Sequence, residues 1–179
     1  MEAELSVPVG VVVERRTSTS RWAEHRWRPI SVFTGRSPLE GWHEMRSGEG
    51  WTRFCSGTCR LDLHRADAEE YKRNLTSPRP GIFVVLARAK GDIPWKVHLV
   101  TASPSEAEAY TVGGDHIVEG LPLPEDLANA IGEFTDTHYK PAPFRKRQRD
   151  TPPALEEPRF GKEPIFTRPR DTKGSGDGQ

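Results

Sequence analysis

Only two cysteines, Cys55 and Cys59, occur in the 179 residues. That excludes a disulfide scaffold and a four-cysteine zinc site. Three residues separate them, around a Ser-Gly turn that is expected to place the thiols across a hairpin. His43 and His64 are the extra ligands a zinc site would need, but they fit no recognised ligand spacing. Two small buried residues beside a turn is the simpler reading, and no metal is expected. Long apolar runs are also missing. No segment approaches the roughly 20 apolar residues of a membrane span. The opening MEAELSVPVGVVVERR carries two early acids, and Pro8 and Gly10 break its apolar run. It is not expected to be a secretory signal, and a cytoplasmic location is expected.

Excess charge is absent too: 26 basic residues meet 26 acidic ones. Residues 1–140 hold 17 Lys/Arg against 20 Asp/Glu, and residues 141–179 hold 9 against 6. A net-acidic body argues against a broad nucleic-acid binder. There is no Gly-x-Ser-x-Gly elbow, no His-Glu-x-x-His and no phosphate loop, so no catalytic residue and no cofactor are expected.

What is present reads as alternating strands and a few capped helices. Valines at 7, 9, 11 and 13 predict a strand with one apolar face. RWRPISVF, 26–33, predicts an edge strand or an entering strand, because Pro29 cannot donate to a ladder. GWHEMR and WTRFC flank a hairpin loop at SGEG, 47–50. TCRLDLH, 58–64, alternates with Cys59, Leu61 and Leu63 inward. Asp67 and Glu70 predict a capping box at the start of DAEEYKRNL, whose Tyr71 and Leu75 share a face. GIFVVLA, 81–87, predicts a central strand buried on both faces. In WKVHLVT, Trp95, Val97, Leu99 and Thr101 are expected on one face. Ser103, Pro104 and Glu106 predict a second capped helix; in VGGDHIVEG the glycines stop it, rather than forming a phosphate loop, and a short strand follows. Leu127, Ile131, Phe134 and His138 form the stripe of a last helix. The fold expected is α+β in a single domain over 1–139. Its antiparallel-dominated sheet has about six to eight strands, with two or three helices. From 140 to 179 the pattern dissolves into a basic, Pro-rich tail expected to be disordered.

Two stretches stand out as candidate sites. TSTSRWAEHRWRPISV, 17–32, interleaves Trp22, His25 and Trp27 with Arg26 and Arg28. It reads as tryptophan lids under arginine stems, as a Trp/Arg surface for a protein partner, or as a stacking surface for single-stranded nucleic acid. The strand-to-helix junction VTASPSEAEAY, with Ser103 and Ser105, is expected to leave the amides of Ser105 and Glu106 free or capped by Ser103. With Arg15 and Arg16 it makes an alternative anion site, which Glu106 and Glu108 disfavour.

Seven motifs occur together in order: VVVERR, WAEHRWRPISV, LDLHRADAEEYKRNL, FVVLAR, VHLVTASPSEAEAY, IVEGLPLP and FRKRQR. In this the chain resembles a bacterial family known as domain of unknown function 3305, over roughly residues 9–149. The resemblance implies genomic company with subunits and maturation factors of molybdenum-dependent formate dehydrogenase. Some relatives carry the label of a molybdopterin-guanine dinucleotide biosynthesis protein. A nucleotidyl transferase of that type opens with a strand and a Gly-Gly nucleotide loop, whereas no glycine lies between Gly10 and Gly35 here. Cys55 and Cys59 also stand where the family has small or aliphatic residues, and Gln148 interrupts the basic run.

The expectation is therefore a non-enzymatic accessory or maturation protein of such a system. Its partner would be a formate dehydrogenase subunit or a maturation factor. The expected surface is Trp22, His25, Arg26, Trp27 and Arg28, with Arg145, Lys146 and Arg147 as a mobile basic arm. The alternatives are an enzyme or carrier handling molybdopterin-guanine dinucleotide through Arg15, Arg16, Ser103 and Ser105, and a nucleic-acid-binding module.

Overall fold

The computed structural model describes residues 4–19, 23–36 and 40–141, all within one compact unit. Their fold is α+β, with an eight-stranded, mostly antiparallel sheet and three α-helices. The tail beyond residue 141 lies outside the described residues. Strand β1, Leu5–Thr17, is longer than the valine alternation predicts, and both its faces are covered. Val9, Val11 and Val13 point into the core, while Val12 and Glu14 are buried on the opposite side. The reason is its central position. β2, His25–Thr34, pairs along one edge of β1, while β4, Trp51–Cys55, and β5, Cys59–Leu63, follow one another along the other edge.

Pro29 does mark an edge strand: β2 pairs with β1 alone. Its register slips between Val12 and Val13, where Ile30 is the extra residue of a bulge. Trp27, Pro29 and Val32 therefore all face inward, although strict alternation would turn Val32 outward. Phe33 lies across Gly10 on the outer side, and a Cβ added there would come within 2.1 Å of its ring. β3, His43–Gly48, forms a hairpin with β4 through Glu49 and Gly50, a tighter turn than the SGEG loop. Gly50 takes the positive φ of 73° that such a turn requires.

The sheet continues from β5 to β7, Trp95–Thr101, by a parallel pairing, Leu61 beside Val100. β6, Gly81–Arg88, lies between β7 and β8, His116–Pro122. It is the predicted central strand, with Val84, Val85 and Leu86 fully buried. β7 departs from its predicted alternation. A shift between Val85 and Leu86 skips His98, so Trp95, Val97 and Val100 join the core and Leu99 does not. The sheet curls until β8 comes alongside β2.

Helices α1, Ala68–Leu75, and α3, Glu125–His138, close the core side. Tyr71, Leu127, Ile131 and Phe134 are buried there, as the helical spacing predicts. A short 3-10 turn precedes α1, and Asp67 makes no side-chain cap. The expected capping box fails because Glu70 reaches elsewhere: it accepts from the Ser103 hydroxyl. Ser103 caps α2, Pro104–Glu108, as expected, by accepting from Glu106 N at 3.1 Å. Glu106 does not complete a box, since the Ser103 amide donates to Thr101 Oγ1 at 3.0 Å.

That link has a pH consequence. The Ser103 hydroxyl, then Ser105, holds the Glu70 carboxyl below its ordinary value, against the opposing effect of burial. A carboxyl depressed in the folded state contributes stability above its unfolded value, and loses it as pH falls toward the folded one. Urea midpoints should therefore fall more between about pH 5 and pH 3 in the native protein than in Glu70→Gln. Equal acid slopes would remove Glu70 from the acid response.

Candidate functional site: the seam between β2 and β8

The expected recognition stretch lies on β2, and the bulge decides which of its side chains are presented. Opposite one another across the β1–β2 ladder are Arg15 and Trp27, Glu14 and Arg28, and Arg16 and Arg26. The first pair faces inward. Trp27 is 9% exposed and packs on Phe54 with centroids 5.6 Å apart. The Arg15 guanidinium lies over both rings, at 5.8 and 5.3 Å, and Arg15 Nη2 donates to Thr52 Oγ1. Trp27 is thus buried beneath the Arg15 guanidinium, with its remaining exposure toward the cleft between β2 and β8. Trp22, Arg145, Lys146 and Arg147 lie outside the described residues.

The outer face carries the charge. Glu14 is buried between cations, accepting from Arg16 Nε and from Arg53 Nε at 2.9 Å. The Arg16 bond, seconded by Arg53, holds its carboxyl below the ordinary range despite burial. Arg26 and Arg28 are exposed beside it, and with Glu14, Arg16 and Ile30 they line a depression of about 310 Å³. Arg26 has no ion-pair partner among the described residues.

Arg28 reaches around the strand edge. Its Nη2 donates to Glu119 Oε1 of β8 at 2.6 Å, across 91 residues of sequence. Glu119 comes from the inward side of β8, in line with Ile117 and Leu121 and beside the Leu86, Val84 and Ile82 side of β6. The carboxylate favours the charged guanidinium and raises the Arg28 value. Here β2 and β8 run in the same direction, side by side, with no ladder between them. A second cleft, of about 530 Å³, opens along this seam. Trp27, Trp95 and Ile117 supply its apolar lining, and Arg26, Arg28, Arg88 and Glu119 its charges. Arg88 lies 4.2 Å over the Trp95 ring. His25 also lines the cleft, and its Nδ1 is buried without a partner among the described residues.

The alternative anion residues do not gather. Arg16 shares the outer depression with Arg26 and Arg28, but Arg15 faces inward. The helix start at Ser103 and Ser105 already holds an anion, the Glu70 carboxylate. The expected cysteine hairpin does not form either. Residues 51–63 run in one direction along β1, with the ladder interrupted over residues 56–58. Ser56 N donates to Val11 O at 2.8 Å, and Val11 N donates to Ser56 Oγ at 2.9 Å. Cys55 stands opposite Val12 and Cys59 opposite Val9, so the pair is spread along the ribbon. Burial raises both thiols, which disfavours the reactive thiolate. Among the described residues no group of three or more His, Cys, Asp or Glu side chains is placed to hold a metal.

Sequence reasoning missed Arg88, Trp95 and Glu119. Two signals were available. Arg88 and Trp95 close the turn around GDIP and so face each other across a hairpin. Glu119 falls in the apolar register of IVEGL, where a charge needs a partner.

Fold and site together define an α+β domain whose curled sheet leaves a basic, aromatic-floored seam. The chain belongs to the family described as Protein of unknown function (DUF3305), whose model matches residues 8–148. No curated protein and no solved structure matches it. No helix among the described residues is long and apolar enough to cross a membrane.

Proposed function

We propose that this protein is a non-enzymatic accessory protein that docks on an acidic surface of a protein partner through β2. The resemblance noted in the sequence points to a subunit of a molybdenum-dependent formate dehydrogenase, or to one of its maturation factors. The observation that carries the reading is the placing of Arg26 and Arg28. Both are exposed on one strand, between two depressions, on a frame fixed by buried Trp27. Arginine so placed makes charge-assisted, bidentate contacts with carboxylates and favours fast association with an acidic partner. Handling of molybdopterin-guanine dinucleotide draws less support, since Arg15 and Ser103 stand apart from the arginine face. A nucleic-acid module draws less still, given the acidic balance of residues 1–140.

Affinity capture from the native host grown on formate tests this. The tagged wild type should retain a molybdoenzyme subunit or maturation factor, identified by mass spectrometry. Arg26→Glu should retain at least about tenfold less, and added salt should release the partner from wild type. Capture of neither kind of protein, or equal capture by the variant, would overturn the proposal.

A further inference from the structure

We infer that the seam between β2 and β8 receives an extended acidic segment of the partner as an added strand, an inference that rests on the partner-binding reading above. The main chain makes the case. Antiparallel ladders alternate residues that bond their neighbour with residues whose amides point away from it. Ser18 N donates to Glu24 O and Gly35 N to Pro8 O, which fixes this phase for β2. Arg26 and Arg28 bond β1, while His25, Trp27 and Pro29 turn their main chain toward the seam. Leu123 N donates to Pro80 O, which fixes the phase for β8. Ile117, Glu119 and Leu121 bond β6, while His116, Val118 and Gly120 face the seam. Both prolines, Pro29 and Pro122, fall on seam-facing positions where no donor is used. They bound a window of main-chain donors and acceptors on two strands that form no ladder with each other among the described residues.

Side chains in this window specify the occupant. A strand laid here presents alternate residues to its two faces. One set meets Trp27, Trp95 and Ile117 in the cleft, and the other meets Arg26 and Arg28. Three arginines against one glutamate in the cleft wall call for carboxylates. The seam is held by the Arg28–Glu119 pair, whose side chains are 60% and 24% exposed. A carboxylate of the incoming strand can replace Glu119 on Arg28, so the strand opens the seam as it enters.

The test uses the full chain and a fluorescein-labelled peptide of about eight alternating Glu and Val residues, followed by anisotropy. A second peptide carries N-methyl groups on alternate amides, and a third has Lys for Glu. The parent peptide should bind, and the other two should bind at least about tenfold more weakly. Glu119→Gln, which releases Arg28, should tighten binding several-fold. Val118→Pro removes a seam-facing donor without touching the β6 bonds, and should weaken it about tenfold at an unchanged circular dichroism spectrum. The N-methyl peptide needs no protein variant, so the question stays answerable if Val118→Pro misfolds. Equal binding of parent and N-methyl peptides overturns strand addition, as does no binding of the parent peptide. If the parent and N-methyl peptides bind alike but Arg26→Glu still loses them, only strand addition fails. If capture of the natural partner is indifferent to Arg26→Glu, the docking reading itself fails.

Discussion

Asn74→Ala should destabilise the fold by about 3–5 kcal/mol, more than any exposed substitution. Asn74 sits in the last turn of α1 and is 6% exposed. Its amide nitrogen donates to Gly81 O at 2.7 Å and Ala102 O at 2.8 Å. Its carbonyl oxygen accepts from Gly81 N at 3.0 Å. One side chain thus ties a helix to the start of β6 and to the residue after β7. Alanine leaves three main-chain groups without that partner, each costing about 1–3 kcal/mol where water does not replace it. Asn74→Asp keeps the acceptor but sets a carboxylate against two carbonyls, so it should be no milder. Urea denaturation at constant m-value measures both. A loss below about 1 kcal/mol for both variants would show that water or a small shift satisfies these groups.

Trp27→Ala should cost about 3–5 kcal/mol of stability, as large aromatic truncations in cores do. Trp27 packs on Phe54 beneath the Arg15 guanidinium, and its loss opens a cavity and removes one of the two rings that Arg15 covers. A fall in Tm of roughly 10 °C or more follows for a domain of this size. Trp27→Phe should recover much of it. Arg26→Glu, by contrast, should stay within about 0.5 kcal/mol of wild type, since Arg26 is exposed and unpaired among the described residues. The two substitutions separate the strand's roles: one supports the fold, the other presents charge. A Trp27→Ala protein as stable as wild type would show that Trp27 lines the cleft without supporting the fold.

The sequence already held much of this arrangement. Most described strands and helices lie within segments that alternation, helical spacing or turn signals mark, because these patterns are local consequences of strand and helix geometry. Pro29 announced an edge strand, since a missing donor is tolerated only where no neighbour needs it. Errors fell where one extra residue breaks the alternation. At Ile30, at His98 and within residues 56–58 one extra residue moves the following side chains to the other face. Nothing in the local pattern of RWRPISVF or WKVHLVT signals the extra residue, because the neighbouring strand imposes it.

The site divides the same way. Its composition, tryptophan interleaved with arginine, was legible at once, and the inward or outward sense of each was not. Trp27 is buried and Arg15 points inward because β1 is covered on both faces. Arg16, Arg26 and Arg28 are left to the outer one. Glu70 leaves its expected cap for Ser103, 33 residues away, because the folded chain brings a better donor within reach. By itself the sequence determined which segments are strands and helices, where Pro29 allows an edge, and which residue types bear the charge. The pairing of distant strands decided the rest: that β2 and β8 lie together unbonded, and that Arg28 meets Glu119. Alternation is fixed by each residue's own backbone, whereas a seam exists only once the curled sheet has brought its two ends side by side.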